Sequence, residues 1–250
     1  MSEVEAKTAP ATKPLRPKDA ATLIVVDEQG PSPRILMGRR RADLVFMPNK
    51  FVFPGGRVDQ LDAAVPAVSE LAPSEHLKLM AEMKGHPSDG RARALAIAAV
   101  REAYEETGIL IGGGWDGAAD RLPADLADTW GGFFAAGQAP NLAALRLFAR
   151  AITPPRRPRP YDTRFFTVAA AAISLKTDKI DEELSEIDWF AIDEARALDL
   201  PSITRAIIED LAERLRHEPE TRAALPVPFY FFRAGTFCRD LITAGGRAAA

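Results

Sequence analysis

Three glutamates crowd one short stretch, "REAYEETG", at residues 101 to 108. Glu102, Glu105 and Glu106 follow one another at the i, i+3 and i+4 spacings that put side chains on one helix face. Gly108 is the kind of residue that ends a helix in a left-handed turn. The cluster therefore sits at a helix C-terminus, where the backbone field opposes each carboxylate by roughly 0.3 to 1 kcal/mol. A hard divalent cation would relieve that repulsion. All-oxygen donors select Mg²⁺ or Mn²⁺, and Mg²⁺ characteristically bridges carboxylates to phosphate oxygens. The competing reading is a solvated acidic helix end partly paired with Arg101.

A second feature lies upstream. "FVFPGGRVD" (51–59) sets two glycines, Gly55 and Gly56, directly after a strand-like run. Paired glycines permit positive φ and close backbone approach, so a carbonyl can face a metal or an amide a phosphate.

The elements that would position these groups can be read from local pattern. "ATLIVVD" (21–27) and "RILMGRR" (34–40) flank a turn cluster and form a hairpin or adjacent strands; "KFVF" (50–53) is a further strand. "APSEHLKLMAEMKG" has helical spacing, and the helix carrying the glutamates follows it. Two amphipathic helices are expected near 122–136 and 141–151. "TPPRRPRP" (153–160) can be neither helix nor central strand. Strands follow at 163–173 and 186–191, then helices at 193–198 and 202–217, which close the regular part of the chain. The C-terminal "GGRAAA" reads as a frayed end. Interleaved strands and helices give an α/β fold with a mixed sheet and helices on both faces.

Taken together, "FPGGRVD" and "REAYEETGI" resemble the Nudix box, G-x5-E-x7-R-E-U-x-E-E-x-G-U with U bulky and apolar. Gly56 matches its first glycine, and Arg101, Glu102, Glu105, Glu106, Gly108 and Ile109 match its second half, with Ala103 at the first U. Asp62 stands where the box has its first glutamate. Between Asp62 and Arg101 lie 38 residues in place of 7, so the box is interrupted by an insertion at about 63–91. An interrupted box is similar to the Nudix branch that includes the peroxisomal coenzyme A diphosphatases. "TPPRRPRPYDTRFF" resembles that branch's "TPP…R.DT.FF", and "SEIDWF", with Trp189, resembles the family's late strand. Coenzyme A-cleaving relatives also carry a pattern of arginines, a small residue and a glycine before the box. Here Arg39 to Arg41 and Ala42 answer to it, and Asn49 replaces the glycine.

The resemblance implies a Nudix-type α/β/α sandwich with helical insertions: one domain over 19–245 after a disordered leader at 1–18, with a helical segment at about 120–152. It implies metal-assisted hydrolysis of a diphosphate linkage in a nucleotide derivative, coenzyme A and acyl-CoA included. Glu102, Glu105, Glu106 and the Gly56 carbonyl would bind Mg²⁺ or Mn²⁺, and Arg101 would orient a glutamate by ion pairing. Arg39, Arg40, Gly55, Gly56 and Arg164 would contact substrate. The choice of general base stays open, and Glu183 or Glu186 is either a further acid of the site or surface charge. Arg156, Arg157, Arg159 and Arg164 are either phosphate ligands or members of a solvated basic loop. A non-catalytic sensor that binds a nucleotide metabolite is the alternative function.

Composition agrees with a small-molecule partner. The 250 residues carry a formal net charge of −3, which gives no electrostatic reason to bind nucleic acid. No run approaches the 18 apolar residues of a membrane span. The leader lacks the apolar stretch of a secretory signal. The lone Cys238 excludes an intramolecular disulfide and reads as apolar filler, in keeping with a reducing cytoplasm. His76, His86 and His217 lack ligand spacing and read as surface residues. A homodimer is compatible with all of this.

Overall fold

The structure is a computed structural model that describes residues 15–44, 47–117, 123–155, 157–178, 183–243 and 245–249. Most of the expected leader, residue 156 and the start of the expected segment 120–152 lie outside the described residues. The elements in chain order are β1 (Lys18–Asp27), β2 (Arg34–Arg40), β3 (Phe51–Val52), β4 (Gly55–Arg57), α1 (Pro73–Ala81), α2 (Asp89–Thr107), β5 (Ile109–Leu110), β6 (Gly112–Gly114) and α3 (Ala124–Ala135). They continue with β7 (Gln138–Pro140), β8 (Arg146–Ile152), β9 (Tyr161–Ala169), β10 (Leu175–Lys176), β11 (Leu184–Ala191), α4 (Ile192–Ala197), α5 (Ser202–Arg214), α6 (Pro219–Ala224), β12 (Val227–Arg233), β13 (Thr236–Thr243) and β14 (Gly246–Ala249).

The main sheet runs β11-β2-β1-β9-β8-β12-β13-β14, with β3 added to β2 and β4 to β1. The pairs β1–β9 and β8–β12 are parallel and the others antiparallel, so the sheet is mixed. Alternation along the strands sorts side chains to its two faces. Ala21, Leu23 and Val25 of β1 join Leu36, Phe166, Val168 and Phe229 in a core with α1, α2 and α3. The intervening Ile24 and Val26 join Ile35, Met37, Phe165 and Tyr230 in a second core with α4 and α5. This is the expected α/β/α sandwich.

Helix α2 is the scaffold of the site. Ser88 caps its start by accepting a hydrogen bond from the Arg91 amide, and Gly108 ends it at φ 71° with its N–H on the Tyr104 carbonyl. Its alanine-rich middle, Ala96 to Ala99, is fully buried, which small side chains permit against both sheet and neighbouring helices. The insertion is folded. Glu75 of α1 is buried, accepts the Leu147 amide of β8 at 2.8 Å and pairs with Lys78 at 3.0 Å. Arg150 donates to the Glu82 carbonyl and Arg91 to that of Lys84. The Arg91 bond fastens the insertion near the start of α2, roughly 16 Å along the helix axis from Glu102. The Leu147 and Arg150 bonds fasten it to β8.

Three local expectations are corrected. Residues 146–152 form β8, not a helix; Leu147, Phe148, Ala149 and Ala151 are buried on both faces together with Arg150, whose charge is paired with Asp162, so the strand lacks the alternation that would separate it from a helix. The regular chain does not close at 217: α6 and three more strands follow. The "GGRAAA" end is the edge strand β14, paired with β13 from Asp240↔Ala249 to Thr243↔Gly246.

Candidate active site

Strand β4 delivers Gly55 and Gly56 against the last turns of α2. Both glycines are required by close approach, and neither has a positive φ. A Cβ on Gly56 would lie 2.6 Å from the Glu102 carboxylate, and one on Gly55 would lie 2.6 Å from the Ala21 carbonyl and 2.7 Å from Thr22 Cα. The Gly55 amide donates to Glu106 Oε2 at 2.8 Å. The amide that sequence reasoning offered to a phosphate is thus engaged by a carboxylate of the box itself.

Arg101 is the hub of the cluster. Its Nε and Nη2 donate to the two carboxylate oxygens of Asp62 at 2.9 and 3.2 Å, and its Nη1 donates to Glu102 Oε1 at 2.8 Å and Glu105 Oε2 at 2.9 Å. Nη2 also reaches the Arg57 carbonyl at 2.9 Å. Asp62 is 1% exposed, so its shorter side chain reaches the arginine from a buried turn, where Asp59 N–H holds it at 2.7 Å. The interrupted box closes here. Burial opposes the Arg101 charge, yet Asp62, Glu102 and Glu105 outweigh it and fix the guanidinium as a cation.

Three carboxylates, Asp62, Glu102 and Glu105, thus surround one guanidinium, and Glu106 lies beyond them on the Gly55 amide. Burial pushes the Glu102 pKa up to about 7, with the Glu105 charge adding to it and Arg101 opposing. Burial raises that of Glu106 well above the ordinary carboxylate range, reinforced by the charge of Glu102. Such carboxylates gain from a cation. Among the described residues, however, no three Asp, Glu, His or Cys side chains stand together in ligating geometry. The expected convergence of Glu102, Glu105 and Glu106 is replaced by a split: Glu102 and Glu105 turn to Arg101, and Glu106 turns to Gly55. The donor chemistry fits a hard divalent ion. Binding one requires these carboxylates to move off their present partners.

Beside this cluster lies an open cleft of about 390 Å³, lined by Arg39, Arg40, Arg41, Ala42, Asp43, Asn49, Ser185 and Glu186. Arg39 pairs with Glu186 at 2.8 Å and Arg40 with Glu183 at 3.6 Å. The charges of Arg40 and Glu183 both act on Glu106, which links cleft and cluster. Asn49 has φ 61°, a left-handed backbone that glycine and asparagine adopt with least strain. Its carbonyl accepts Arg39 Nε at 3.4 Å.

Arg164 is not brought to this cleft. It is 2% exposed, pairs with Asp162 at 2.9 Å and Asp19 at 3.3 Å, and belongs to a buried charge network with Arg91 and Arg150. An arginine one residue into a "DTRFF" strand carries no signal that tells a buried partner from a phosphate. Arg157 and Arg159 are exposed. His86 and His217 are exposed as expected, whereas His76 is half-buried and bonds Asp89. Cys238 is half-buried against the first core. Two features escaped the sequence: the role of Asp62 as anchor for Arg101, and the left-handed backbone of Glu186 at φ 48°. The spacing after Gly56 could have suggested the first; nothing in "SEIDWF" signals the second.

No protein-family model matches the chain. Over 180 residues it is 33% identical to a Caenorhabditis elegans protein assigned provisionally as nudix hydrolase 7, covering 66% of this chain and 50% of that protein. The chain thus spans about half the length of this curated relative. A solved structure of a NUDIX hydrolase from Alicyclobacillus acidocaldarius is 26% identical and superimposes with a TM-score of 0.54, over 78% of this chain and 90% of that one. The chain is thus similar in sequence to the former and shares the Nudix fold of the latter.

Proposed function

From the Nudix fold that this chain carries, we propose that it is a divalent-metal-dependent hydrolase that cleaves the diphosphate linkage of a nucleotide derivative. One observation carries the reading: the partly buried Glu102 and the buried Glu106 are pressed against the Gly55–Gly56 strand with raised proton affinity. Glu102 has Arg101 as counter-charge, whereas Glu106 is held by the neutral Gly55 amide, and a buried carboxylate without a cation is costly. Glu102, Glu105 and Glu106, with the Gly56 carbonyl, would hold Mg²⁺ or Mn²⁺. A cation held there would neutralise diphosphate charge and supply a hydroxide-like nucleophile by lowering the pKa of water. Arg101 orients Glu102 and Glu105 and takes up part of their charge. The Gly55 amide fixes Glu106.

The cleft supplies the substrate side. Arg39 and Arg40 offer guanidinium groups suited to phosphate, and the field of Arg40 reaches Glu106. Coenzyme A and acyl-CoA stand among the candidate nucleotide derivatives, with Asn49 in place of the pattern's glycine. No candidate for the general base is singled out by the geometry.

A substrate screen tests this directly. Coenzyme A, acyl-CoA, NADH, ADP-ribose and dinucleoside polyphosphates are incubated with Mg²⁺ or Mn²⁺, and products are resolved by chromatography. Release of nucleoside monophosphate products that stops with EDTA is expected. Tight metabolite binding without product release points instead to a sensor.

A further inference from the structure

Arg39 is gripped from two sides by residues with left-handed backbones. Asn49 (φ 61°) presents its carbonyl to Nε at 3.4 Å, and Glu186 (φ 48°) presents its carboxylate to Nη1 at 2.8 Å. Glu186 sits in an irregularity of β11, whose register against β2 shifts between Ser185 and Asp188. Ser185 anchors the irregularity by donating its hydroxyl to the Arg39 carbonyl at 3.1 Å. All four residues line the cleft beside Glu106.

The pair is not there for stability. The Arg39 and Glu186 side chains are 39% and 58% exposed, and an ion pair so open to water contributes little to folding. A glutamate at positive φ costs more than such a contact returns, and strain of this kind gathers at sites where it serves function. A carboxylate and a phosphate oxygen recognise a guanidinium in the same way.

We propose that Glu186 is an internal stand-in for a substrate phosphate. Its carboxylate holds Arg39 in place while the cleft is empty and yields the guanidinium to the incoming phosphate. Glu186 is thus a positioning residue that sets a threshold: only an anion stronger than a tethered carboxylate takes Arg39. This rests on the reading above that the cleft receives the phosphates of a diphosphate compound.

Calorimetric titration with inorganic pyrophosphate, in EDTA so that no metal intervenes, isolates the claim from turnover. Removing a competitor that occupies the binding group raises apparent affinity by the reciprocal of the fraction of molecules in which that group was free. Glu186→Gln and Glu186→Gly should each bind pyrophosphate about three- to tenfold more tightly than the parent chain. The glycine variant also relieves the backbone, so its melting temperature should not fall. Adding Arg39→Ala should abolish the gain in both. Unchanged or weaker binding in both variants overturns the proposal. In turnover, Glu186→Gln should lower KM at an unchanged kcat; a lower kcat at unchanged KM makes Glu186 part of the chemistry and also overturns it. Tighter pyrophosphate binding in a chain that hydrolyses nothing sinks the hydrolase reading and leaves this one standing.

Discussion

Asp62 and Arg101 face each other across 38 intervening residues and make a two-point ion pair, with bonds of 2.9 and 3.2 Å. The pair is buried at both ends. It holds the glycine strand and the glutamate helix in register although the chain between them detours through α1. A loop of this length is thermodynamically cheap, since closure cost grows only as its logarithm. Position within the site is therefore set by the ion pair and by β4–β1 pairing, and the insertion sets only the path.

Breaking that pair should be costly. Asp62→Ala leaves a buried guanidinium short of a partner, a class of change that costs about 3–5 kcal/mol. Glu102, Glu105 and the Arg57 carbonyl still hold Arg101, so the lower end applies. Asp62→Asn, which keeps one acceptor, should cost less. Urea unfolding of the two variants measures both; equal stability of Asp62→Ala and the parent chain removes Asp62 from the role assigned to it.

The two glycines should separate fold from function. In Gly55→Ala the new methyl meets Thr22 Cα and the Ala21 carbonyl, which are backbone and cannot swing aside. Overpacking of this kind costs about 1–3 kcal/mol, visible as a lower melting temperature. In Gly56→Ala the methyl meets only the end of the Glu102 side chain, which can turn away at the expense of its bond to Arg101. Stability should hold within about 1 kcal/mol, as for most changes without a core clash, while turnover drops at least tenfold. Full activity in Gly56→Ala would contradict the placement of Glu102 at the site.

Stability of the metal-free protein should depend on pH in a defined direction. Glu102 has its pKa raised to about 7 from 4.5, so the native state binds a proton more tightly than the unfolded chain. The contribution is complete below pH 4.5 and is lost as pH rises through about 7. Melting in EDTA should therefore fall across that window, and Glu102→Gln should flatten the fall. Added Mg²⁺ should restore stability above pH 7, because a cation replaces the proton. A melting temperature indifferent to Mg²⁺ at pH 8 is the contrary result.

Asn49→Ala should cost about 1 kcal/mol, the penalty of a left-handed backbone for a residue with no side-chain compensation. Asn49→Gly should be neutral or stabilising. If both behave alike in chemical denaturation, the φ of 61° is not what the position demands.

How legible this was from the chain depended on the kind of signal. Gly108 and the run of Ala and Leu before it specify α2 and its end locally, and the structure follows them. β1 and β2 were evident from branched apolar residues around a turn. β8 is hidden from pattern because Leu147 to Ala151 lie inside the sheet with both faces covered and no alternation. "VPFYFFR", which forms β12, carries its signal in aromatic content that favours strands. At the site, spacing put Arg101 and the three glutamates on the last turns of one helix, α2. It could not tell which carboxylate turns to the arginine and which to Gly55, because that choice is made by contacts between β4 and α2 that are 51 residues apart in the chain. Arg164 shows the same limit from the other side: its charge suggested a ligand, and only the fold reveals Asp162 and Asp19 beside it.

The central claim is that the Glu106 carboxylate, held by the Gly55 amide, belongs to a metal-dependent diphosphatase site. Glu106→Gln keeps an oxygen to accept that amide and removes the charge, so its fold should be preserved. Turnover of whichever substrate the screen identifies, measured with saturating Mg²⁺ or Mn²⁺ in this variant, is the most direct test. A fall of at least two orders of magnitude with the melting temperature held within a few degrees is the predicted result. Undiminished turnover in the folded variant would contradict it.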